Sequence, residues 1–158
     1  MPNDALSHDA PVVALACDHA GFPLKAAVRS ILERAGCTVL DRGTGGADRV
    51  DYPDFAHVAC RDVEAGRARY AVLICGSGVG MSIAANRHAG IRCVLAGEPT
   101  TARLSRAHND ANAVALGSRM IGEEAAADIL TAFLATPYEA GRHGQRIAKL
   151  SPPQETDV

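Results

Sequence analysis

Short apolar runs alternate along this chain with longer stretches in which apolar residues recur every three or four positions. Val12 to Cys17 is the first run, and it predicts a buried strand. From Phe22 to Ala35, Leu24, Val28, Ile31, Leu32 and Ala35 fall on one face of a 3.6-residue helix, and Gly36 closes that helix as a C-cap would. Cys37 to Leu40 predicts a second strand, and the polar, glycine-bearing stretch from Arg42 to Tyr52 a loop. Pro53 suits the first turn of a helix running to about Ala65. Further strands are expected over Tyr70 to Cys75, Ile91 to Ala96 and Ala113 to Leu116, and helices over Met81 to Asn86, Pro99 to His108 and Glu123 to Ala135. The last helix carries Ile129, Leu130, Phe133 and Leu134 on its apolar face.

Strands that alternate with helices pair in parallel through right-handed crossovers. The expected fold is therefore α/β: a three-layer α/β/α sandwich around a five-stranded parallel, Rossmann-like sheet. One domain is expected over residues 11–150, with residues 137–150 as a C-terminal helical arm that reaches a neighbouring subunit. The polar ends, residues 1–10 and 151–158, are expected to be disordered tails. Ligands in such folds sit beyond the C-terminal ends of the strands. That rule gathers Asp18, His19, the residues after Cys75, Gly97 to Pro99, and Arg119 on one edge.

Tyr70 to Asn86 carries the strongest chemical signal. A strand ends at Cys75, Gly76-Ser77-Gly78-Val79-Gly80 forms a tight turn, and a helix opens behind it. Such a unit points several backbone N–H groups into one small space suited to an anion, and a thiol at its rim is favoured as thiolate by the same field. A dinucleotide fingerprint fits less well. The spacing is G-x-G-x-G rather than G-x-G-x-x-G, the unit is the third strand, and the acidic residue further on, Glu98, follows the next strand.

Composition excludes several partners. A net charge of −2 over 158 residues implies no polyanion or membrane surface, and the absence of Trp removes the usual stacking platform for single-stranded nucleic acid. No apolar run approaches the ~20 residues that span a bilayer. Met1 to Ala10 has neither the basic start nor the apolar stretch of a signal peptide, so a cytoplasmic protein is expected. The five cysteines are odd in number and form no C-x-x-C pair, which suits free thiols in a reducing compartment and argues against a thiol redox protein. The six histidines show no H-x-x-x-H or H-E-x-x-H spacing, so no metal site is expected.

Other residues remain two-sided when read alone. Asp18 suits a helix cap as well as a site, and Ser77 suits turn filler as well as a hydroxyl donor. His108-Asn109-Asp110 ends a helix, where a histidine is also a favourable dipole partner. Arg142 and Arg146 share a helical face, with Lys149 a turn further: a phosphate grip or a solvated basic face.

Taken in register, six segments resemble the type B ribose-5-phosphate isomerases, within the group that also holds galactose-6-phosphate isomerase. They are Ala16-Cys17-Asp18-His19-Ala20-Gly21-Phe22, Asp51-Tyr52-Pro53, Ile74-Cys75-Gly76-Ser77-Gly78-Val79-Gly80, Ser105-Arg106-Ala107-His108-Asn109-Asp110, Gly117-Ser118-Arg119 and Gly141-Arg142-His143-Gly144-Gln145-Arg146. The resemblance implies an aldose–ketose isomerase acting through an enediolate without metal or organic cofactor. It also implies strand order 2-1-3-5-4, and a homodimer or tetramer whose active sites draw on two subunits. By the same resemblance, Cys75 is the base that moves a proton between C1 and C2. Ser77, where the family often has Thr, and the amides of Gly76, Gly78, Val79 and Gly80 serve the enediolate oxygens. His108 with Asp18 opens the furanose ring, Tyr52 and Asn109 contact the sugar, and His19, Arg119, Arg142 and Arg146 hold the phosphate. Family members without the cysteine use a glutamate just after the glycine loop; Met81 stands there instead, which marks the cysteine-using type. The alternatives are an isomerase of a six-carbon (galactose 6-phosphate, allose 6-phosphate) or four-carbon sugar phosphate, and a non-catalytic sugar-phosphate-binding module.

Overall fold

The structure, a computed structural model, describes residues 10–153; most of the two expected tails, residues 1–9 and 154–158, lies outside the described residues. The element order is β1 (Val12–Cys17), α1 (Phe22–Arg34), β2 (Thr38–Asp41), α2 (Tyr52–Glu64), β3 (Tyr70–Cys75), α3 (Val79–Ala85), β4 (Cys93–Leu95), α4 (Pro99–Asn109), β5 (Ala113–Gly117), α5 (Glu123–Ala135) and α6 (Arg142–Ile147). The strands form one five-stranded sheet in the order β2-β1-β3-β5-β4, every neighbouring pair parallel. The fold class and the strand order are as expected.

Alternation along the strands divides the core into two layers. Val13, Leu15, Cys17, Val72, Ile74, Val114 and Leu116 face α1, α4 and α5, whose Leu24, Val28, Ala102, Ile129 and Phe133 complete that layer. On the other face stand Ala14, Ala16, Ala71, Leu73, Cys75, Ala113 and Ala115, against Ala56, Ala59 and Cys60 of α2 and Met81, Ala84 and Ala85 of α3. Alanine dominates this second face, so α2 and α3 can approach the sheet closely. The Cys75 side chain belongs to it.

Three elements differ from the sequence expectation. Strand β4 is three residues long rather than six. It is an edge strand, paired only with β5, and the Asn86 side chain takes up both backbone groups of Cys93, at 2.8 and 2.9 Å, where a further strand would pair. Helix α3 begins at Val79 rather than Met81, because Gly78 adopts φ 78° and turns the chain early. Only Arg142–Ile147 of the expected arm is helical. Positive φ at Ala140 (55°) and Gly141 (59°) breaks the segment before it, and the Glu139 amide is tied to the Ala107 carbonyl at 3.0 Å. Within its own chain α6 packs on α4.

Candidate active site

The direction of chain travel reverses between β1 and β3, whose crossovers lead to opposite sides of the sheet; this is the switch point where α/β sheets bind ligands. Asp18 leaves the end of β1 there. It is buried, and its Oδ1 accepts the Gly21 N–H at 2.8 Å. This bond closes the turn ahead of α1 rather than capping the helix, whose N-cap is Gly21 with no side-chain cap bond. Gly21 is required: a Cβ would stand 2.2 Å from the Ile74 carbonyl oxygen. The close approach brings the start of α1 onto the end of β3. His19 Nδ1 lies 3.2 Å from both the N and the O of Val50, so the imidazole pins the loop that leads to Tyr52.

Cys75 ends β3, and its Sγ accepts the Gly78 N–H at 3.1 Å. The Val79 N–H reaches Ser77 Oγ at 3.2 Å, and Val79 and Gly80 begin α3, where first-turn N–H groups have no helical partner. The loop is held from beneath by the turn after β5: the Ser118 and Arg119 amides donate to the Cys75 and Gly76 carbonyls at 2.9 and 3.0 Å. Two residues close its sides. A Cβ on Gly80 would meet the Tyr52 ring at 2.5 Å, and one on Gly76 would meet Arg119 Nη1 at 3.3 Å. Asp18, His19, Tyr52, Cys75, Ser77, Arg119 and Gly76 to Gly80 thus form one group at the C-terminal edge. Glu98, the acidic residue that fits a dinucleotide fingerprint poorly, caps α4, accepting the Thr100 N–H at 2.7 Å and also that of Thr101.

The remaining thiols have no such setting. Burial pushes Cys17 up to about 11 and Cys60 up to about 12, and raises Cys37 and Cys93 as well. They are small hydrophobes, buried or, in Cys93, half-buried, that stay protonated at neutral pH.

His108, Asn109, Arg142 and Arg146 do not join Cys75 within one protomer. Helix α4 starts beside the C-terminal end of β4 and ends just before β5 begins, so it runs against the strands. Its last residues therefore lie at the opposite edge, a separation on the order of 10–15 Å at ~3.3 Å per strand residue. That second group is also rigid. Asp110 follows at φ 45°, held by Arg106 (Nη1 to Oδ1 at 2.7 Å) and by Arg92 (Nη2 to the carbonyl at 2.9 Å). Arg106 is itself buried across the rings of Tyr70 and Phe133. His108 stacks on His143, centroids 4.4 Å apart and planes 14° from parallel, and Glu139 faces both. Arg142 and Arg146 are exposed, and no ion pair among the described residues engages either.

Sequence reasoning missed Glu139 and His143. Their i, i+4 spacing was available, but the third member, His108, comes from another helix. With it they form a grouping of three potential ligands whose atoms lie within 4.8 Å of one another.

A parallel α/β sheet with a thiol, a glycine turn and a helix N-terminus at its switch point defines a class: α/β enzymes whose ligand is anionic. The chain belongs to the ribose/galactose isomerase family, whose sequence profile matches residues 13–150. It is 47% identical over 139 residues to ribose-5-phosphate isomerase B of Escherichia coli K12, covering 88% of this chain and 93% of that protein. It is 36% identical to the galactose-6-phosphate isomerase subunit LacB of Clostridium acetobutylicum, over 87% and 80% of the two chains. Among solved structures, the ribose 5-phosphate isomerase of Thermotoga maritima superimposes with a TM-score of 0.86 at 46% identity (88% and 96% covered). The type B enzyme of Trypanosoma brucei does so with 0.87 at 42% identity (89% and 96% covered).

Proposed function

We propose that this chain interconverts ribose 5-phosphate and ribulose 5-phosphate through an enediolate, with Cys75 as the proton-transferring base. The observation that carries the reading is the position of Cys75 Sγ at the end of β3, against the Gly78 N–H and beside the first turn of α3, whose Val79 N–H meets Ser77 Oγ. A C–H beside a carbonyl is weakly acidic, and the charge released on its ionisation sits on oxygen. Preorganised N–H donors at that oxygen are typically worth ~3–4 kcal/mol each, and a positioned base adds ~10²–10⁴-fold. Cys75 Sγ takes the C2 proton of the open-chain aldose. The amides of Gly76, Gly78, Val79 and Gly80, with the Ser77 hydroxyl, hold the two enediolate oxygens. The proton then returns to C1, and the hydroxyl proton passes from O2 to O1, which leaves C2 as the ketone and C1 as CH2OH. No electrons leave the sugar, so the isomerisation step is proton transfer within an anion hole.

The site is completed by a second copy. Asp18, His19, Tyr52 and Arg119 accompany Cys75, whereas His108, which with Asp18 opens the ring, stands with Asn109, Arg142 and Arg146 at the far edge. In a two-fold homodimer each far-edge group can face the partner's Cys75 loop. The surface supports this: Tyr52, Val79, Leu95 and Met120, all apolar and exposed, surround the glycine loop, and Ile83 stands exposed on α3. His19, Arg119, Arg142 and Arg146 then grip the phosphate, whose binding energy holds the sugar chain extended for proton transfer. No helix among the described residues is long and apolar enough to cross a membrane, and a phosphorylated sugar with five free thiols in the enzyme suits the cytoplasm.

A six-carbon sugar phosphate is the second reading, favoured by the LacB likeness. The loop from Arg42 to Asp51, anchored by Arg42 on Asp62 at 2.7 Å and by Val50 on His19, borders the space that a longer sugar needs.

The test is isomerisation of ribose 5-phosphate by EDTA-treated protein, with Cys75→Ala beside it. Rapid turnover that falls ~10²-fold or more in a folded variant is expected. Near-normal turnover in that variant refutes Cys75 as base, and turnover of galactose 6-phosphate alone moves the chain to the second reading.

A further inference from the structure

His108, Glu139 and His143 each offer one ligand atom, and the three atoms lie within 4.8 Å of one another. Glu139 Oε2 is 3.6 Å from His143 Nε2 and 3.9 Å from His108 Nε2. Ligand atoms at ~2.0–2.1 Å from a tetrahedral ion stand roughly 3.3 Å apart, so the two carboxylate–imidazole separations need close by only a few tenths of an ångström, while the imidazole pair needs a change of ring orientation. Two imidazoles and one carboxylate, with a fourth position open, form a donor set that zinc accepts. Magnesium and calcium prefer oxygen throughout.

One ligand is fixed and two can move. His143 is held in the contact between α6 and α4 with its side chain 8% exposed; the Glu139 backbone is tied to Ala107 but its side chain is 59% exposed, and the His108 side chain is 37% exposed. The stacked rings cannot both direct lone pairs at one ion, because an ion between parallel planes lies out of the plane of each. The more exposed His108 must therefore turn out of the stack for the site to close. The guanidinia of Arg142 and Arg146 on α6 oppose a cation, so the ion is exchangeable rather than structural.

We propose that His108, Glu139 and His143 bind a borderline divalent ion such as zinc, and that this ion inhibits the enzyme by drawing His108 away from the sugar ring. The inhibitory half rests on the ring-opening role given to His108 above; the site itself does not. The ion blocks the enzyme here rather than serving it.

The probe is cobalt(II) added to the full-length, EDTA-stripped protein, read by visible absorption, with zinc(II) used for kinetics. Cobalt on imidazole and carboxylate gives ligand-field bands without the near-ultraviolet charge transfer of a thiolate, which separates this site from Cys75. One equivalent per chain is expected, lost in Glu139→Gln and in His143→Gln. Zinc is expected to lower the initial rate from ribose 5-phosphate by ~10-fold or more, and to do so less from ribulose 5-phosphate, which has no furanose ring to open. In Glu139→Gln, compared with its own metal-free rate, the zinc effect should vanish. Absent bands, or bands unchanged in both variants, overturn the site. Bands with an unaffected ribose 5-phosphate rate overturn the inhibition and, with it, the role of His108. A stripped wild-type protein inactive on both sugars refutes the isomerase reading instead, while the spectra still decide the metal site.

Discussion

If each active site combines Cys75 of one protomer with His108 of the other, two inactive variants can repair each other. Consider Cys75→Ala and His108→Ala purified together through two different affinity tags. In the mixed dimer, one site pairs the altered Cys75 position with the altered His108 position and is dead. The other pairs an intact Cys75 with an intact His108 and is wild type. The magnitude follows from symmetry: about half of the wild-type rate per isolated mixed dimer, or about a quarter in a random mixture of the two chains. The background is low, because loss of a positioned acid–base group costs ~10²–10⁴-fold. A signal of tens of per cent therefore stands against parents at about one per cent or less. The structure motivates the experiment through the opposed direction of α4, which places His108 at the N-terminal edge of the sheet while Cys75 ends β3 at the other. The assay is the initial rate of ribulose 5-phosphate formation, with the dimer confirmed by sedimentation. A mixed dimer no more active than its parents would refute the shared site and require His108 to act within its own chain or not at all.

Further outcomes follow from the same geometry. Arg142→Ala and Arg146→Ala should each raise KM for ribose 5-phosphate about tenfold or more, as loss of a charge-assisted phosphate contact implies, and an unchanged KM in both makes the basic face solvated surface. Gly78→Ala should lower stability by ~2–4 kcal/mol in denaturant melts and reduce kcat, since the residue sits at φ 78° and a Cβ would meet Leu95 Cδ1 at 2.6 Å and the Leu116 carbonyl carbon at 2.9 Å. Wild-type stability and rate in that variant would show that the loop has room to relax. Asp62 links stability to acid pH. Its burial alone would raise its pKa, but hydrogen bonds from Arg42 and Arg67, both at 2.7 Å, outweigh that and hold the carboxyl below its ordinary range. With the folded value depressed, the stabilisation is complete above the unfolded pKa of ~3.9 and is lost as pH falls through the folded value. Asp62→Asn should lower Tm at pH 7 and flatten the fall of Tm below pH ~4; an identical acid limb in both proteins would refute the linkage.

The parts of the fold legible in the sequence were those governed by local pattern. β3 reads directly because Tyr70 to Cys75 is buried on both faces and has no polar residue to blur its ends. β4 is shorter than its apolar run because apolar content does not reveal that a strand is an edge, nor that Asn86 occupies the backbone groups of Cys93. The start of α3 lies two residues ahead of the one the pattern predicts because a left-handed glycine can turn the chain at either Gly78 or Gly80, and packing of the Tyr52 ring over Gly80 leaves Gly78 to do it. The candidate site divides along the same line. Asp18, His19, the Cys75 loop and Arg119 could be assembled from the rule about strand ends. The isolation of His108 from them follows only from helix direction, and Glu139 and His143 needed the contact of α6 with α4, which no single stretch of sequence contains.

The division of the site also explains why the surface around Cys75 is built as it is. A turn of free N–H groups in open water is satisfied by solvent and gains little from holding an oxyanion; the same donors in a dry, low-dielectric space gain several-fold more. One protomer supplies the donors, the thiol and a rim of Tyr52, Val79, Leu95 and Met120, but leaves that rim exposed. Covering it with the partner's α4 and α6 ends would bury apolar surface, exclude water from the glycine loop and deliver His108, Asn109 and the two arginines in one step. Assembly and catalysis would then rest on the same contacts. The rigid support behind His108, with Arg106 buried on Tyr70 and Phe133 and two arginines holding Asp110 in a left-handed turn, has a reason under that arrangement. A residue that must act in another chain's site needs its own backbone fixed before the partner arrives.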